Sequence, residues 1–459
     1  MMAAARSSSL TPVLMLVPYF APQSHAAMFR AHKLAKYLPD YGYRPIVVTT
    51  DTNYLYNEDP RLLSELPPEV EIHRARYIEP TLRGIRMAFG GADRRFVALK
   101  KTGKVAVSAQ QPPSGDSPSL RLPSLGSLVA DVIGDWPDRY WTWTSPATRM
   151  AEQLIRKHDI RLLYTSANPV SFLRAGLRIR QRNDLAWLFD SRDPLGYGQK
   201  HTAKGGLARW MEHRILRSVI ASADHVSGLS GAYGPIFFDL FGLEEDRWTF
   251  IPTGFDEAYA PPAAPDKRGR NLLHVGEVMV NQSPHVFKTL EYLLETTDKD
   301  VPFDKLVFVG RREVNEPIIR RMTANLPRLM ERLAFLDHRP QAEVYALMRE
   351  ARACLLVPGP TRYWWNNFAK LVDYIGLSVP VIAHVPLVSE ARHELEKAGT
   401  AYFLGTNIAE DAAALAGWLA DGPPTAISDY AARYTARRQV ADFAALFDRL
   451  LAAKGDAAQ

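Results

Sequence analysis

A lysine and an aspartate three residues apart, Lys370 and Asp373, have the types and the spacing to bind a ligand that carries both an anion and hydroxyl groups. Both lie just inside a predicted helix, so the cation and the carboxylate share one helix face. Asn366 or Asn367 can cap that helix, and a buried strand is predicted over 381–383. The chemistry of the pair therefore depends on what the start of this helix can bind.

The beginning of such a helix suits a phosphate, because its unpaired N–H groups and its partial positive charge point the same way. Lys370 adds a full positive charge, and Asp373 can accept hydrogen bonds from ribose hydroxyls. The segment 366–383 is therefore interpreted as a nucleotide-binding site. The alternative is a Lys/Asp pair on a solvated helix face, since this spacing is common in helices.

Length and composition indicate a globular protein with two domains. The chain has 459 residues, of which 47% are hydrophobic and 23% are charged. It is too long for one core, so two domains of roughly 200 residues each are expected. The composition excludes a wholly disordered or fibrous chain.

Charge and cysteine content limit the partners and the compartment. The formal net charge of +6 is a modest excess that favours phosphates, anionic lipid or nucleic acid. The only cysteine, Cys354, excludes an internal disulfide and a cysteine-based zinc site, which fits a reducing cytoplasm. No stretch reaches the ~20 apolar residues of a membrane-spanning helix. We expect a cytoplasmic protein that contacts a membrane, if at all, peripherally at its inner face.

Short apolar runs alternate with longer amphipathic ones along most of the chain, which is the rhythm of repeated βαβ units. The first series of predicted strands is Val13–Val17, Pro45–Val48, Leu162–Thr165, Ala186–Phe189 and Phe250–Ile251. The second series is Leu272–Val275, Leu306–Val309, Leu333–Leu336, Cys354–Val357 and Val379–Ala383. With helices between the strands, the pattern predicts an α/β fold with two doubly wound sheets.

A linker rich in proline, alanine and charge separates the two series at 253–270. The first domain is predicted over 1–252 and the second, nucleotide-binding domain over 271–428. The final helical segment, 429–459, has an apolar stripe with which it can cross back to the first domain. Residues 81–127 are predicted to be an excursion from the first domain, basic at its start and then rich in Pro and Ser.

The segment 81–104 concentrates positive charge. It holds seven Lys or Arg residues against one acid, Asp93, with apolar side chains between them. Clustered cations beside apolar side chains predict contact with an anionic membrane surface. The alternative is an ordinary basic surface whose apolar residues pack inward.

Seven motifs, in order along the chain, resemble glycosyltransferases of the GT-B fold, and most closely family four, whose members are retaining and use nucleotide-sugar donors. The motifs are VLMLVPYFAP, YTSANPVS, LFDSRDP, FIPTGFD, LLHVGE, LVFVG and AKLVDYIGLSVPVIA. The resemblance covers most of the chain. It implies two Rossmann-like domains facing each other across a crevice, with the donor on the second domain and the acceptor on the first.

The resemblance also implies roles for residues of the second domain. Lys370 contacts the donor diphosphate and acts in catalysis, and Asp373, where the family usually has glutamate, holds the ribose. Gly276 and Glu277 fall where the family's backbone approaches the donor, although a simple strand-ending turn is the alternative. Gln282 stands in the donor-binding loop where similar sequences carry arginine, so one phosphate-binding cation is missing. The loop that reads the base falls on Asp337, His338 and Arg339.

On the acceptor side, the loop after the first strand carries Ser24 and His25 where relatives usually have paired glycines. His25 can donate to the phosphate or act on the acceptor, or it can be a solvated loop histidine. Arg192 and Asp193 end a strand where relatives build the acceptor side of the active site. A structural ion pair at a turn is the alternative for these two residues.

Retaining enzymes of this fold are generally thought not to need an enzymic nucleophile, because the departing diphosphate can assist attack from the same face. Stabilising that leaving group is then the main contribution of the protein. No Asp-x-Asp motif appears in the crevice segments, so no metal and no cofactor are expected. We expect a hexosyltransferase-type enzyme that moves a sugar from a nucleotide-sugar to a glycan or lipid-linked acceptor in cell-surface polysaccharide or glycoconjugate synthesis. A catalytically silent scaffold or partner subunit is the alternative.

A nucleic-acid-binding protein is disfavoured. Trp136, Tyr140, Trp141 and Trp143 lie near cations, but no RNA- or DNA-binding motif accompanies them. These aromatic residues are typical of a sugar-binding platform or of a core.

Overall fold

The computed structural model describes residues 10–24, 27–51, 57–80, 138–197, 206–261, 268–278, 283–297, 301–359, 363–422 and 428–457. The chain divides into two units. The first consists of Met1–Ser227, Ile236–Trp248 and Leu446–Gln459, and the second of Gly228–Pro235 and Thr249–Ala445. The predicted excursion 81–127 and the basic segment 81–104 within it lie outside the described residues.

The N-terminal part of the chain forms a seven-stranded sheet. Its strands are β1 (Thr11–Leu16), β3 (Tyr43–Thr50), β5 (Glu71–Ala75), β6 (Leu162–Ala167), β7 (Ala186–Ser191), β8 (His225–Gly228) and β9 (Trp248–Phe250). Their order across the sheet is β5-β3-β1-β6-β7-β8-β9. A short antiparallel pair joins β2 (Gln23–Ser24) to β4 (Asn57–Glu58). The helices are α1 (Phe29–Tyr37), α2 (Arg61–Ser64), α3 (Thr144–His158), α4 (Val170–Arg182), α5 (Gly206–Ser222) and α6 (Tyr233–Phe241).

A buried carboxylate holds the centre of the first unit together. Asp190 of β7 is fully buried and accepts hydrogen bonds from Nε and Nη2 of Arg30, each at 2.8 Å. It also accepts from the hydroxyls of Tyr164, at 2.7 Å, and Ser227, at 2.8 Å. Burial and the Asp190 charge raise the pKa of Tyr164 well above its ordinary value, so this phenol stays a donor. Because a buried charge is tolerated only when it is paired and hydrogen-bonded, this network fixes α1 against three neighbouring strands.

Aromatic packing accounts for part of the Trp- and Tyr-rich segment. The ring of Trp143 stacks on Phe172 with centroids 3.9 Å apart, and Tyr140 stacks on Tyr77 at 4.7 Å. All four side chains are buried. Tyr140 and Trp143 are therefore core residues and offer no stacking platform to a nucleic acid, whereas Trp141 is 38% exposed.

The second unit contains a six-stranded parallel sheet. Its strands are β10 (Leu272–Val275), β11 (Leu306–Val309), β12 (Leu333–Leu336), β13 (Ala353–Leu356), β14 (Val381–Ala383) and β15 (Ala401–Phe403). The order β12-β11-β10-β13-β14-β15 reverses direction between β10 and β13, as in a doubly wound Rossmann-like sheet. The helices are α7 (His285–Thr296), α8 (Arg312–Met322), α9 (Pro327–Met330), α10 (Gln341–Glu350), α11 (Ala369–Gly376), α12 (Glu390–Ala398), α13 (Ile408–Asp421) and α14 (Ser428–Ala431). The last helix, α15 (Ala436–Ala457), begins in the second unit, and its residues from Leu446 onward belong to the first.

The strands of this sheet are short apolar runs because helices cover both of its faces. One core contains Leu273, Cys354 and Leu371, and the other contains Leu272, Phe308 and Leu355. Cys354, the only cysteine of the chain, is fully buried in β13. Burial raises the pKa of its thiol.

The end of α11 packs tightly against a segment of the predicted linker. A Cβ atom placed on Gly376 would overlap the ring of Phe255, so this helix position requires glycine. The Phe255 N–H donates to the Tyr434 carbonyl at 2.7 Å, and the Gly254 N–H donates to Gln439 Oε1 at 2.8 Å. Residues 253–261, predicted as linker, are therefore packed within the second unit.

The predicted cap of α11 is wrong. The N-cap of α11 is Phe368, whose side chain makes no capping hydrogen bond, and neither Asn366 nor Asn367 caps this helix. Helix α3 begins at Thr144, directly after a 3-10 turn over Trp141–Trp143. Both helices begin after an aromatic N-cap residue that makes no side-chain capping hydrogen bond. Among the described residues, no helix is long and apolar enough to cross a membrane.

Candidate nucleotide-binding site

Glycines mark the carboxyl ends of three adjacent strands around the point where the strand order reverses. Gly276 follows β10, Gly310 follows β11 and Gly359 lies three residues after β13, and each has a positive φ: +88°, +154° and +99°. A Cβ atom on Gly276 would meet no atom within 4 Å, so the space before this backbone is open. In doubly wound sheets ligands bind at this edge, at the reversal point. The described edge therefore lets a ligand approach the main chain of Gly276 closely.

A buried asparagine fixes this edge. Asn315 of α8 is 1% exposed; its Nδ2 donates to the Gly276 carbonyl at 3.0 Å and its Oδ1 accepts from the Val278 N–H at 2.9 Å. A Cβ atom on Gly310 would lie 3.0 Å from the Gly276 oxygen and 3.2 Å from Asn315 Nδ2. The amide and the two glycines thus hold the turn after β10 in a single shape.

The ammonium of Lys370 contacts strand β10. Its Nζ lies 3.0 Å from Nε2 of His274, a residue of β10 that is 1% exposed. Burial lowers the pKa of Lys370 to about 8. Burial first, and then the Lys370 charge, hold the pKa of His274 well below its ordinary value. At neutral pH the pair is therefore a cationic lysine beside a neutral imidazole.

Asp373 sits one helical turn after Lys370, and its carboxylate is oriented by a tyrosine. The Tyr345 hydroxyl donates to Asp373 Oδ1 at 2.9 Å. Burial and the Asp373 charge raise the pKa of Tyr345 well above its ordinary value, so the phenol is protonated and can donate. The carboxylate remains a hydrogen-bond acceptor for hydroxyl groups of a ligand.

The start of α11 is suited to an anion. This helix connects β13 to β14 and therefore begins at the same carboxyl edge of the sheet as the three glycines. Its N-cap residue, Phe368, makes no side-chain capping hydrogen bond, and within the described part of the chain no side chain is seen to bond the first N–H groups of the helix. Uncapped N–H groups and the helix dipole favour a phosphate at this end.

An ion pair lies beside the open turn. Glu277 Oε1 and Arg311 Nη2 are 2.6 Å apart, with side chains that are 55% and 50% exposed. A carboxylate alone would repel an anionic ligand, and Arg311 offsets its charge. Arg311 thus places a guanidinium at this edge, paired with Glu277. Gln282, where similar sequences carry arginine, lies outside the described residues.

The three residues predicted to read the base lie further along the same edge. Asp337, His338 and Arg339 follow β12 and are exposed. Arg339 Nη1 lies 3.7 Å from the Glu343 carboxylate. Because β12 is separated from β10 by one strand, this loop is about 10 Å from the end of β10.

The predicted acceptor-side residues belong to the first unit. Ser24 pairs with Asn57 in the short β2/β4 ladder, and His25 lies outside the described residues. Arg192 is 8% exposed and donates to the carbonyls of Ala27, at 2.8 Å, and Ala167, at 3.1 Å, and to that of Asn168. Asp193 follows it and its carbonyl accepts from Ser191 Oγ at 2.6 Å. In the structure Arg192 therefore ties the loop at Ala27 to the carboxyl end of β6.

Three residues of the site were not found by sequence reasoning: His274, Asn315 and Tyr345. His274 carried a usable signal, since it is the polar residue in the otherwise apolar run Leu272–Val275. The other two occupy ordinary helix positions, and only the fold brings them to the site. Within the described ranges, no group of three or more His, Cys, Asp or Glu side chains could hold a metal ion.

Comparison with known proteins establishes the fold. No protein-family model matches the chain, and no curated protein matches it in sequence. Sucrose-phosphate synthase from Thermosynechococcus elongatus is 13% identical with a TM-score of 0.59, covering 96% of this chain and 100% of that one. A glycosyltransferase from Rickettsia africae is 12% identical with a TM-score of 0.57, covering 96% and 99%. HepE from Anabaena, solved in complex with UDP, is 14% identical with a TM-score of 0.55, covering 98% of each chain. Together with the two doubly wound sheets, this similarity confirms the predicted fold of two Rossmann-like domains, the fold of these glycosyltransferases.

Proposed function

We propose that this protein is a glycosyltransferase that takes a sugar from a nucleotide-sugar donor bound to its second domain. One observation carries the proposal: the Lys370 ammonium lies at the reversal point of the sheet, next to the uncapped start of α11. Two independent sources of positive potential meet where a diphosphate would bind. Fold alone does not select a reaction, so the proposal rests on these groups.

We place the donor along the described edge. Its diphosphate lies between Lys370 and the helix start, close to the open backbone of Gly276, and its ribose hydroxyls donate to Asp373. The base then lies toward the loop Asp337–Arg339, about 10 Å from the end of β10. HepE, which shares the fold, was solved with UDP, and this supports a nucleoside diphosphate as the ligand class.

The proposed reaction is transfer with retention, as in family four. The bond between the anomeric carbon and the diphosphate oxygen breaks, and a new bond forms between that carbon and an acceptor hydroxyl on the same face. The hydroxyl proton passes to the departing diphosphate oxygen. Lys370 and the helix N–H groups stabilise the negative charge on that leaving group, which is the main catalytic contribution in this scheme. We propose that the reaction needs no added metal.

The acceptor is proposed to be a glycan or lipid-linked sugar in polysaccharide or glycoconjugate synthesis, reached from the cytoplasmic side. Contact of residues 81–104 with an anionic membrane belongs to the same proposal. Vesicle sedimentation of the protein, with and without these residues, on anionic and neutral lipid tests that part. Equal sedimentation of both forms on anionic vesicles would remove it.

A donor panel tests the central claim. Pure wild-type protein is mixed with UDP-, GDP- and ADP-sugars, and the thermal shift and the release of sugar are measured. The same measurements are made on Lys370→Met and on the matched control Lys397→Met, whose lysine is exposed on α12. We expect one nucleotide class to raise the melting temperature of the wild type and of the control but not of Lys370→Met. If no donor raises the melting temperature of the wild type, the proposed enzyme activity is wrong and the catalytically silent scaffold is the favoured function.

A further inference from the structure

The histidine beside Lys370 is a part of the site that the proposed reaction leaves unexplained. His274 is 1% exposed and stands in an apolar strand. Burying an imidazole costs free energy unless its nitrogens have partners. Nε2 has one in the Lys370 ammonium at 3.0 Å, whereas Nδ1 has none among the described residues. Among the described residues, the hydrogen-bond partner of this buried ring is therefore the Lys370 ammonium.

The proton positions in this pair follow from what each group can donate. An ammonium only donates hydrogen bonds, so Nε2 accepts and the neutral ring carries its proton on Nδ1. The depressed pKa of His274, caused by burial and then by the Lys370 charge, keeps the ring neutral at physiological pH. His274 is thus a permanent acceptor for the lysine.

A fixed acceptor matters because lysine is a flexible side chain. Its ammonium lies at the end of four carbons and samples many positions unless a partner holds it. His274 is itself held in the core, with its ring 5.5 Å from that of Phe308. One N–H of the ammonium is directed to the ring, and an ammonium has two more for a ligand.

We propose that His274 is a positioning residue for donor binding, which accepts one N–H of Lys370 and thereby aims the ammonium at the diphosphate of the donor. The inference rests on the proposed function, in which Lys370 binds that diphosphate. The affected ligands are nucleoside diphosphates and their sugar esters. A nucleoside without phosphates gains nothing from this arrangement.

Two variants separate positioning from packing. His274→Phe keeps a ring in the core and removes the acceptor, whereas His274→Gln supplies an amide oxygen that can accept from Lys370. Affinity is measured by calorimetry with whichever of UDP, GDP and ADP binds the wild type most tightly. We expect His274→Phe to weaken binding about tenfold, the size of one hydrogen bond to a charged group, and His274→Gln to recover most of it.

A double-mutant cycle supplies the decisive comparison. If His274 acts through the lysine, His274→Phe causes no further loss of affinity in a Lys370→Met background. The same loss in both backgrounds would overturn the proposal, because the ring would then act through packing alone. Failure of His274→Gln to bind more tightly than His274→Phe would also overturn it.

Side-chain NMR of the lysines in ligand-free protein keeps this proposal distinct from the proposed function. His274→Phe should lower the pKa of Lys370, since the acceptor that favours the charged form is gone, and His274→Gln should not. An unchanged Lys370 pKa in His274→Phe overturns the positioning role. If His274→Phe lowers the pKa of Lys370 but the wild type binds none of the nucleotides, the contact between His274 and Lys370 is supported, whereas the nucleoside diphosphate as its ligand is overturned.

Discussion

The ionisation of Lys370 predicts how donor binding depends on pH. Burial lowers the pKa of this lysine to about 8, so the ammonium loses its proton within the range of ordinary assays. A diphosphate binds the charged form, since the neutral amine offers no charge to the anion. Binding should therefore be strong below pH 8 and weaken as the pH rises through that value.

The expected size follows from the titration of a single group. With a pKa of about 8, the lysine is about nine-tenths charged at pH 7 and about one-tenth charged at pH 9. The apparent affinity for a nucleoside diphosphate should fall about tenfold between these values, close to 1.4 kcal/mol. Near pH 8, binding should also take up about half a proton, because the bound anion restores the charge.

Isothermal titration calorimetry measures both quantities. Affinity is followed from pH 6.5 to 9, and proton uptake at pH 8 is obtained from buffers that differ in ionisation enthalpy. Lys370→Arg is the control, because its guanidinium stays charged throughout and any titration of the ligand itself appears in both proteins. An affinity independent of pH in the wild type, or an equal slope in Lys370→Arg, would refute the role given to this ammonium.

Further predictions concern stability. Because the pKa of Lys370 is lowered in the folded state, the unfolded chain binds more protons than the folded one between pH 8 and 10.5. The free energy of unfolding should therefore rise with pH in that range. Lys370→Met should abolish this rise and should raise the melting temperature at pH 7. A lower melting temperature for Lys370→Met would contradict this. In chemical denaturation, Gly376→Ala should destabilise the protein by about 1–3 kcal/mol, because the added Cβ overlaps the ring of Phe255. Gly417→Ala is the control: its added Cβ meets nothing within 4 Å, so the change should stabilise the helix by up to about 1 kcal/mol. Equal changes in the free energy of unfolding for Gly376→Ala and Gly417→Ala would contradict the prediction, because the contact with Phe255 would then add no penalty. Asp190→Asn should cost about 3–5 kcal/mol in the same assay by leaving the buried Arg30 charge unbalanced, and a loss below about 1 kcal/mol would contradict the role of that network.

The sheet of the second unit could be predicted from sequence in detail, and for a clear reason. Its strands read as short apolar runs, mostly buried in β10 and β11 and half-buried in the edge strand β12, and the predicted bounds of these three strands coincide with the observed ones. Strand β5 was missed because Glu71–Ala75 is mostly polar and only partly buried. Strand β15 was missed although it is apolar, since three residues are too few for a pattern.

The site could be predicted only where its residues are close in sequence. Lys370 and Asp373 share a helix, and their spacing alone indicated a shared face. The partner of Lys370 is 96 residues away in sequence, and Asn315 is 39 residues from the glycine whose turn it fixes. Such contacts depend on which strands become neighbours, and no local pattern encodes that.

The burial of Cys354 has a practical consequence for measurements of ligand binding. The chain has a single thiol, which is enclosed in β13 and whose pKa is raised by burial, so it is a poor nucleophile toward labelling reagents. A cysteine introduced at an exposed position, such as Arg339 in the loop after β12, would be the preferred target of a fluorophore in the otherwise native protein. The molecule thus accepts a site-specific reporter beside its proposed base-reading loop without prior removal of a native cysteine.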